Sequence, residues 1–182
     1  MILSDKHIKE ELSKGGENRL FIYPYPKPEQ WGSCTIDLRL GNEFKILDYS
    51  QCHRVNVDKE FKPVPCYQSF SIKNDEFFLL RPGQFALAIV KEYIEIPDNL
   101  IGRLDGKSSL ARLGLIVHGT ASIFDAGFKG YPVLELKNIG EINLELHPSV
   151  SICSMSFEML SSEVDVPYYS KSTAKYNNQN SL

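Results

Sequence analysis

No apolar run in this 182-residue chain is longer than the six residues Phe85 to Val90. A helix needs about 20 apolar residues to cross a bilayer, so no membrane-spanning helix and no membrane partner are expected. Asp5, Lys6, Glu10 and Glu11 interrupt the stretch where the apolar core of a secretion signal would lie, which predicts a cytoplasmic protein. A basic excess is also missing, with 20 Lys and Arg against 23 Asp and Glu and a net charge of −3. Domains that bind nucleic-acid duplexes usually carry such an excess, so no nucleic-acid partner is expected. A small anionic ligand stays open, because it needs only a local cluster of Lys and Arg.

Paired metal-ligand spacing is absent too. Cys34, Cys52, Cys66 and Cys153 never form a C-x-x-C pair, and a zinc site from Cys52, His53 and Cys66 would lack that pairing. Without a secretion signal the four read as free thiols. What is present is ordinary: 42% hydrophobic and 24% charged residues, enough for one compact domain with a real core.

The chain is organised as short strands separated by turns. Ser4 is placed to cap a brief N-terminal helix with Ile8 and Leu12 as its i, i+4 apolar pair. Ile36, Leu38 and Leu40 then alternate with Thr35, Asp37 and Arg39, a half-buried strand that Gly41 is expected to end. Further strands are predicted at Phe77–Leu80, Phe85–Val90, Tyr93–Ile96, Val133–Lys137, Ile142–Leu146 and Val150–Phe157. Pro82-Gly83, Pro97-Asp98, Asn138 to Gly140 and His147-Pro148 punctuate them as turns. This pattern predicts a mainly β protein, a distorted antiparallel β-barrel or sandwich with a few short helices. The β domain spans 1–160. From Ser161 the chain turns polar, and composition alone reads 161–182 as a frayed tail.

The segment from Gly102 to Gly114 carries the most chemistry. Gly102 to Ser108 superficially suggests a phosphate loop, but only three residues separate Gly102 from Gly106 where that motif needs four. Ser108 to Leu113 is good helix sequence, opened by serines and closed by Gly114. Ser108 and Arg112 then share one face at i, i+4, while Leu110 and Leu113 are available to anchor another. Lys107 beside the helix start favours an anion there.

Downstream, His118 reads as a core or supporting residue, and Asp125 as either a turn former or a functional acid before Gly127 and Gly130. On the strand that follows, Leu134 and Leu136 face one way and Val133, Glu135 and Lys137 the other. Glu135 is either half-exposed beside Lys137 or held in a site, where a carboxylate among apolar groups suits proton transfer.

Five blocks in order resemble the dCTP deaminase family, which shares its fold with the trimeric dUTPases. They are Met1 to Asp5; Ile36 to Gly41; Gly106 to Leu115 with His118 to Ala121; Asp125 to Gly130 with Leu134-Glu135-Leu136; and the tail residues Pro167-Tyr168, Lys171, Lys175-Tyr176 and Gln179. The resemblance implies a dUTPase-like trimeric fold and hydrolytic deamination of dCTP to dUTP and ammonia. It implies Glu135 as the base that activates water and later donates a proton to departing ammonia. Ser108 and Arg112 would orient that water, and the backbone at Ala121 would help hold it. Thr120 and Ala121 would line the base pocket; Lys107, Ser109 and Lys175 would meet phosphates. Asp125, Tyr168 and Gln179 would contact sugar or base, with Val133 and Lys171 also in the nucleotide site. Magnesium would arrive with the triphosphate, no zinc would be held, and sites would be shared between subunits of a homotrimer.

The sequence departs from the family in places. Lys107 stands where the family usually has Arg, a point charge in place of a bidentate fork. Phe124, Ala126 and Ser149 replace a common Ile, Pro and Gly. Ala121-Ser122-Ile123 occupies the place where bifunctional members, which carry dCTP to dUMP, often have Ala-Gly-Trp; this favours a monofunctional enzyme. A non-catalytic trimeric nucleotide sensor is the alternative from another class. Zinc nucleobase deaminases carry an H-x-E…P-C-x-x-C signature, absent from this chain. Tyr168, Lys171, Lys175 and Gln179, spaced three, four and four, would share a face if the tail were helical. Too polar to fold by its own burial, the tail is expected to be mobile until a nucleotide orders it.

Overall fold

The computed structural model describes residues 1–50, 54 and 66–182. Cys52 and His53 lie outside the described residues. After α1 (Asp5–Ser13) the chain runs through β1 (Phe21–Tyr23), β2 (Ile36–Leu47), β3 (Tyr67–Ser71), β4 (Phe78–Leu80), β5 (Phe85–Val90), β6 (Tyr93–Glu95) and β7 (Leu100–Gly106). It continues through α2 (Ser108–Ala111), β8 (Leu115–Ile116), β9 (Ile123–Phe124), β10 (Lys129–Gly130), β11 (Val133–Asn138), β12 (Leu144–Leu146) and β13 (Ser151–Met159). All pairings between these strands are antiparallel. The fold is mainly β, as the turn spacing predicts.

The main sheet has the order β8-β11-β5-β2-β13-β7-β9, with β3 added beside β2. Its hub is β2. Residues Ile36 to Arg39 pair with β13, whereas Leu40 to Lys45 pair with β5, with a register shift between Leu40 and Phe44. Gly41 therefore does not end the strand as expected. It lies inside β2, where an added Cβ would come 2.7 Å from the Ile89 carbonyl oxygen, so its small size lets β2 and β5 approach through the shift.

Inward-facing residues of the sheet form one core. Ile36, Leu38, Leu40 and Phe44 of β2 meet Ala86 and Ala88 of β5, Leu134 and Leu136 of β11, and Met155 and Phe157 of β13, all fully buried. Phe44 and Phe78 stack with centroids 4.2 Å apart. Ile8 of α1 is buried and Leu12 packs against the same core.

Two local expectations change. β7 occupies Leu100–Gly106, most of the stretch that first suggests a glycine loop. Its Leu100 and Leu104 are buried in the core, Leu104 opposite the fully buried Met155 of β13. Asn138, read as turn punctuation, is instead the buried last residue of β11. Its Nδ2 donates to the carbonyls of Leu80 (3.0 Å) and Ile142 (2.8 Å), and its Oδ1 accepts the Gly140 N–H.

Candidate active site

β11 places Glu135 as its alternation predicts. Leu134 and Leu136 point into the core while Val133, Glu135 and Lys137 are half-buried on the other face. The strand is clamped on both sides: Glu135 lies opposite Leu87 of β5, and its own N–H donates to the Val117 carbonyl at 3.0 Å. Glu135 Oε2 accepts the Gly119 N–H at 2.7 Å. Among the described residues, Oε1 has no hydrogen-bond partner. One oxygen thus fixes the carboxylate and the other is left for chemistry. A Cβ at Gly119 would come 2.9 Å from Oε2, so the close approach needs glycine there. Sequence reasoning missed Gly119, because a backbone N–H leaves no signature in residue type.

The same loop carries Thr120 and Ala121, both exposed. It is tied to β7, since the Leu104 N–H donates to the Ser122 carbonyl at 2.8 Å. His118 is half-buried, and its Nδ1 is a buried atom with no hydrogen-bond partner among the described residues.

α2 is shorter than its sequence suggests. It is a single turn, with Lys107 rather than a serine at the N-cap and no side-chain cap. Ser108 and Arg112 still stand one turn apart, joined by an Arg112 N–H to Ser108 carbonyl bond of 3.1 Å, and both are exposed. Neither side chain has a hydrogen-bond partner among the described residues. Leu110 packs against the core, but Leu113 falls beyond the helix and is 47% exposed, so a single leucine anchors the turn. Ser109 is exposed, whereas the Lys107 ammonium contacts Asp37 Oδ2 on β2.

The tail gathers over the loop between β9 and β10. It forms no α-helix, only a 3₁₀ turn at Tyr168–Ser170, so the three, four and four spacing does not align its residues on a helical face. Its backbone groups bond to the body instead. The Tyr168 N–H donates to the Ala126 carbonyl (2.8 Å), the Asn178 N–H to Lys129 (2.8 Å), and the Tyr131 N–H to Gln179 (3.0 Å). Gln179 and Gly130 form a parallel bridge. The Tyr168 ring packs on Phe128 at 6.1 Å, and Lys171 pairs with Asp125 at 2.9 Å. Lys175 is exposed. Two glycines make room: a Cβ at Gly127 would lie 2.7 Å from Pro167 Cβ, and one at Gly130 3.1 Å from the Gln179 backbone.

The structure thus brings the predicted residues together in three groups: Glu135 with Thr120 and Ala121; Lys107, Ser108, Ser109 and Arg112 around α2; and Asp125 with Tyr168, Lys171 and Gln179. Among the described residues, no three His, Cys, Asp or Glu side chains converge to hold a metal ion. No described helix is long and apolar enough to cross a membrane.

A carboxylate held by one oxygen on a strand paired along both edges, beside a polar loop, suits a hydrolytic enzyme. Comparison with known proteins makes the assignment specific. The family model described as dCTP deaminase-like matches residues 2–160. A dCTP deaminase of Thermomicrobium roseum is 42% identical over 180 residues, covering 98% of this chain and 90% of that protein. A dUMP-forming dCTP deaminase of Dictyoglomus thermophilum is also 42% identical, over 181 residues, covering 98% and 91%. Among solved structures, the 2'-deoxycytidine 5'-triphosphate deaminase of Agrobacterium tumefaciens superposes with a TM-score of 0.64 at 17% identity, over 87% of this chain. The chain spans about half of that protein, 48% of its length, and the likeness is one of fold. This chain belongs to the dCTP deaminase-like family.

Proposed function

We propose that this protein deaminates dCTP hydrolytically, releasing ammonia and forming dUTP. The observation that carries the reading is Glu135, pinned through Oε2 by the Gly119 N–H with Oε1 left without a partner among the described residues. Oε1 takes a proton from water as its oxygen adds to C4 of the cytosine. The carboxyl then returns the proton to the amino group, which leaves as ammonia. General acid–base catalysis of this kind contributes roughly 10²–10⁴-fold. Thr120, Ala121 and Val133 border the base beside Glu135.

Ser108 and Arg112 orient the water and steady charge near C4. Both are exposed and lack a partner within the described chain, which suits side chains that complete a site on a neighbouring copy. We therefore assign a homotrimer with shared sites. Lys107, Ser109 and Lys175 meet the triphosphate, which brings its own Mg²⁺; Asp125, Tyr168, Lys171 and Gln179 close around sugar and base. Segment 161–182 acts as a lid that nucleotide orders and that shields the reaction from water.

A relative named dCTP deaminase and one named dUMP-forming dCTP deaminase stand at the same 42% identity, so identity does not choose between products. Ala121-Ser122-Ile123 favours dUTP, with dUMP the second reading. The deciding experiment incubates the protein with dCTP and Mg²⁺ and resolves dUTP, dUMP and ammonia. Glu135→Gln, which keeps shape but cannot cycle a proton, is expected to bind dCTP and lose about 10²–10⁴-fold in kcat. Near-normal ammonia release by that variant overturns the assignment of Glu135. Absence of ammonia from the unaltered protein leaves a nucleotide sensor. Elemental analysis is expected to find no stoichiometric zinc; about one tightly held zinc per chain overturns the glutamate mechanism.

A further inference from the structure

Asp37 lies 70 positions before Lys107, on a different strand, and the two side chains meet as an ion pair with 18% and 28% of their side-chain surface exposed. Register places Asp37 there. It lies opposite Ser154 of β13, which lies opposite Asp105 of β7, so the three share the sheet face away from the core. The strand position is itself fixed, because buried Gln30 donates to the Asp37 carbonyl at 2.7 Å. Lys107, at the entry to α2, folds back onto this face. Among the described residues its salt bridge is with Asp37.

A lysine that binds phosphate supplies one positive charge, and a carboxylate in contact with it offsets that charge. The polyanion must then compete with Asp37 for the ammonium, and on its departure Asp37 can take the ammonium back. We infer that Asp37 is a positioning residue that holds Lys107 as a reserved cation, weakening triphosphate binding and favouring nucleotide release. The inference rests on the reading of Lys107 as a phosphate ligand. Lysine suits the role, since its ammonium swings on a flexible stem and makes no bidentate fork that would lock it to one carboxylate.

The test compares four proteins in a Glu135→Gln background, which suppresses turnover: the background itself, Asp37→Asn, Lys107→Met and the double variant. Affinity for dCTP with Mg²⁺ is measured by calorimetry at several salt concentrations, with melting temperatures alongside. Asp37→Asn is expected to tighten dCTP about two- to fivefold, the scale of one partly screened ion pair. It should also steepen the loss of affinity with salt. Lys107→Met is expected to weaken binding, and the double variant should match Lys107→Met alone.

Unchanged or weaker binding by Asp37→Asn overturns the inference, as does equal tightening with Lys107 absent. Asp37→Ser repeats the test should the asparagine variant fold poorly. If Lys107→Met lowers the melting temperature but leaves dCTP affinity unchanged, the pair is a structural clasp. In that case the phosphate reading of Lys107 fails and the inference falls with it, while the assignment of Glu135 stands.

Discussion

β11 and the C-terminal tail contribute to the same proposed site, yet they are held in different ways. β11 is bonded to β5 along five residues and to β8 at its end, with Leu134 and Leu136 fully buried beneath Glu135. The tail from Ser161 is largely exposed and is attached by scattered backbone bonds, ring contacts of Tyr168 with Phe128 and of Tyr169 with the Lys129 ammonium, a Tyr169 hydroxyl bond to Asp98, and the Lys171–Asp125 pair. Proton transfer needs a carboxylate fixed to within fractions of an ångström, which a packed strand provides. Closure needs a segment that opens at small cost, and such segments have few buried contacts. On the proposed reading, chemistry belongs to the sheet and access to the tail.

Removing the tail should break this comparison most visibly. Cutting after Pro167 is expected to leave a folded oligomer whose use of dCTP falls about 10²-fold. Proteolysis of the full chain should be slowed by dCTP with Mg²⁺; equal cleavage with and without nucleotide, together with full activity of the shortened protein, contradicts the lid. Leu134→Ala attacks the other region. It should cost about 2–5 kcal/mol in denaturant unfolding through the cavity it leaves beneath Glu135.

Gly127→Ala tests the tail's seat without touching Glu135. Its backbone sits at φ +83°, and a Cβ there would meet Pro167. Left-handed geometry alone costs an L-residue about 1–2 kcal/mol. Faster tail proteolysis and a raised KM are expected, with kcat less affected; an unchanged proteolysis rate shows that the tail is seated elsewhere.

The smallest effect concerns pH. Burial, with the nearby negative charges of Glu92 and Asp37, pushes the Cys153 thiol well above its ordinary value of 9.0. The folded state then keeps its proton while the unfolded chain ionises, so this contribution is full below pH 9 and is lost as pH rises above it. Melting temperature should decline above pH 9, and Cys153→Ala should flatten that decline. In the native protein, exposed Cys34 should be alkylated and buried Cys153 spared.

Much of this was legible in order along the chain. Alternation at 133–137 assigned Glu135 to the outer face, and the helix and most strand cores stand where their periodicity puts them, because these signals depend on near neighbours. The length of β2 was not legible. Gly41 resembles a strand end, yet the strand continues because β5 supplies a partner across the shift. Neither was β7, whose glycines suggest a loop until β13 pairs with it.

Residue types and their spacing determined the β architecture, the outward placement of Glu135, the one-turn separation of Ser108 and Arg112, and the polar character of the tail. Only the tertiary structure decided that Gly119 steadies Glu135, that buried Glu92 is met by Arg39 and Gln30, and that Asp37 claims Lys107. Each of those contacts joins residues 16 to 70 positions apart, and nothing local to either partner encodes the sheet register that brings them together.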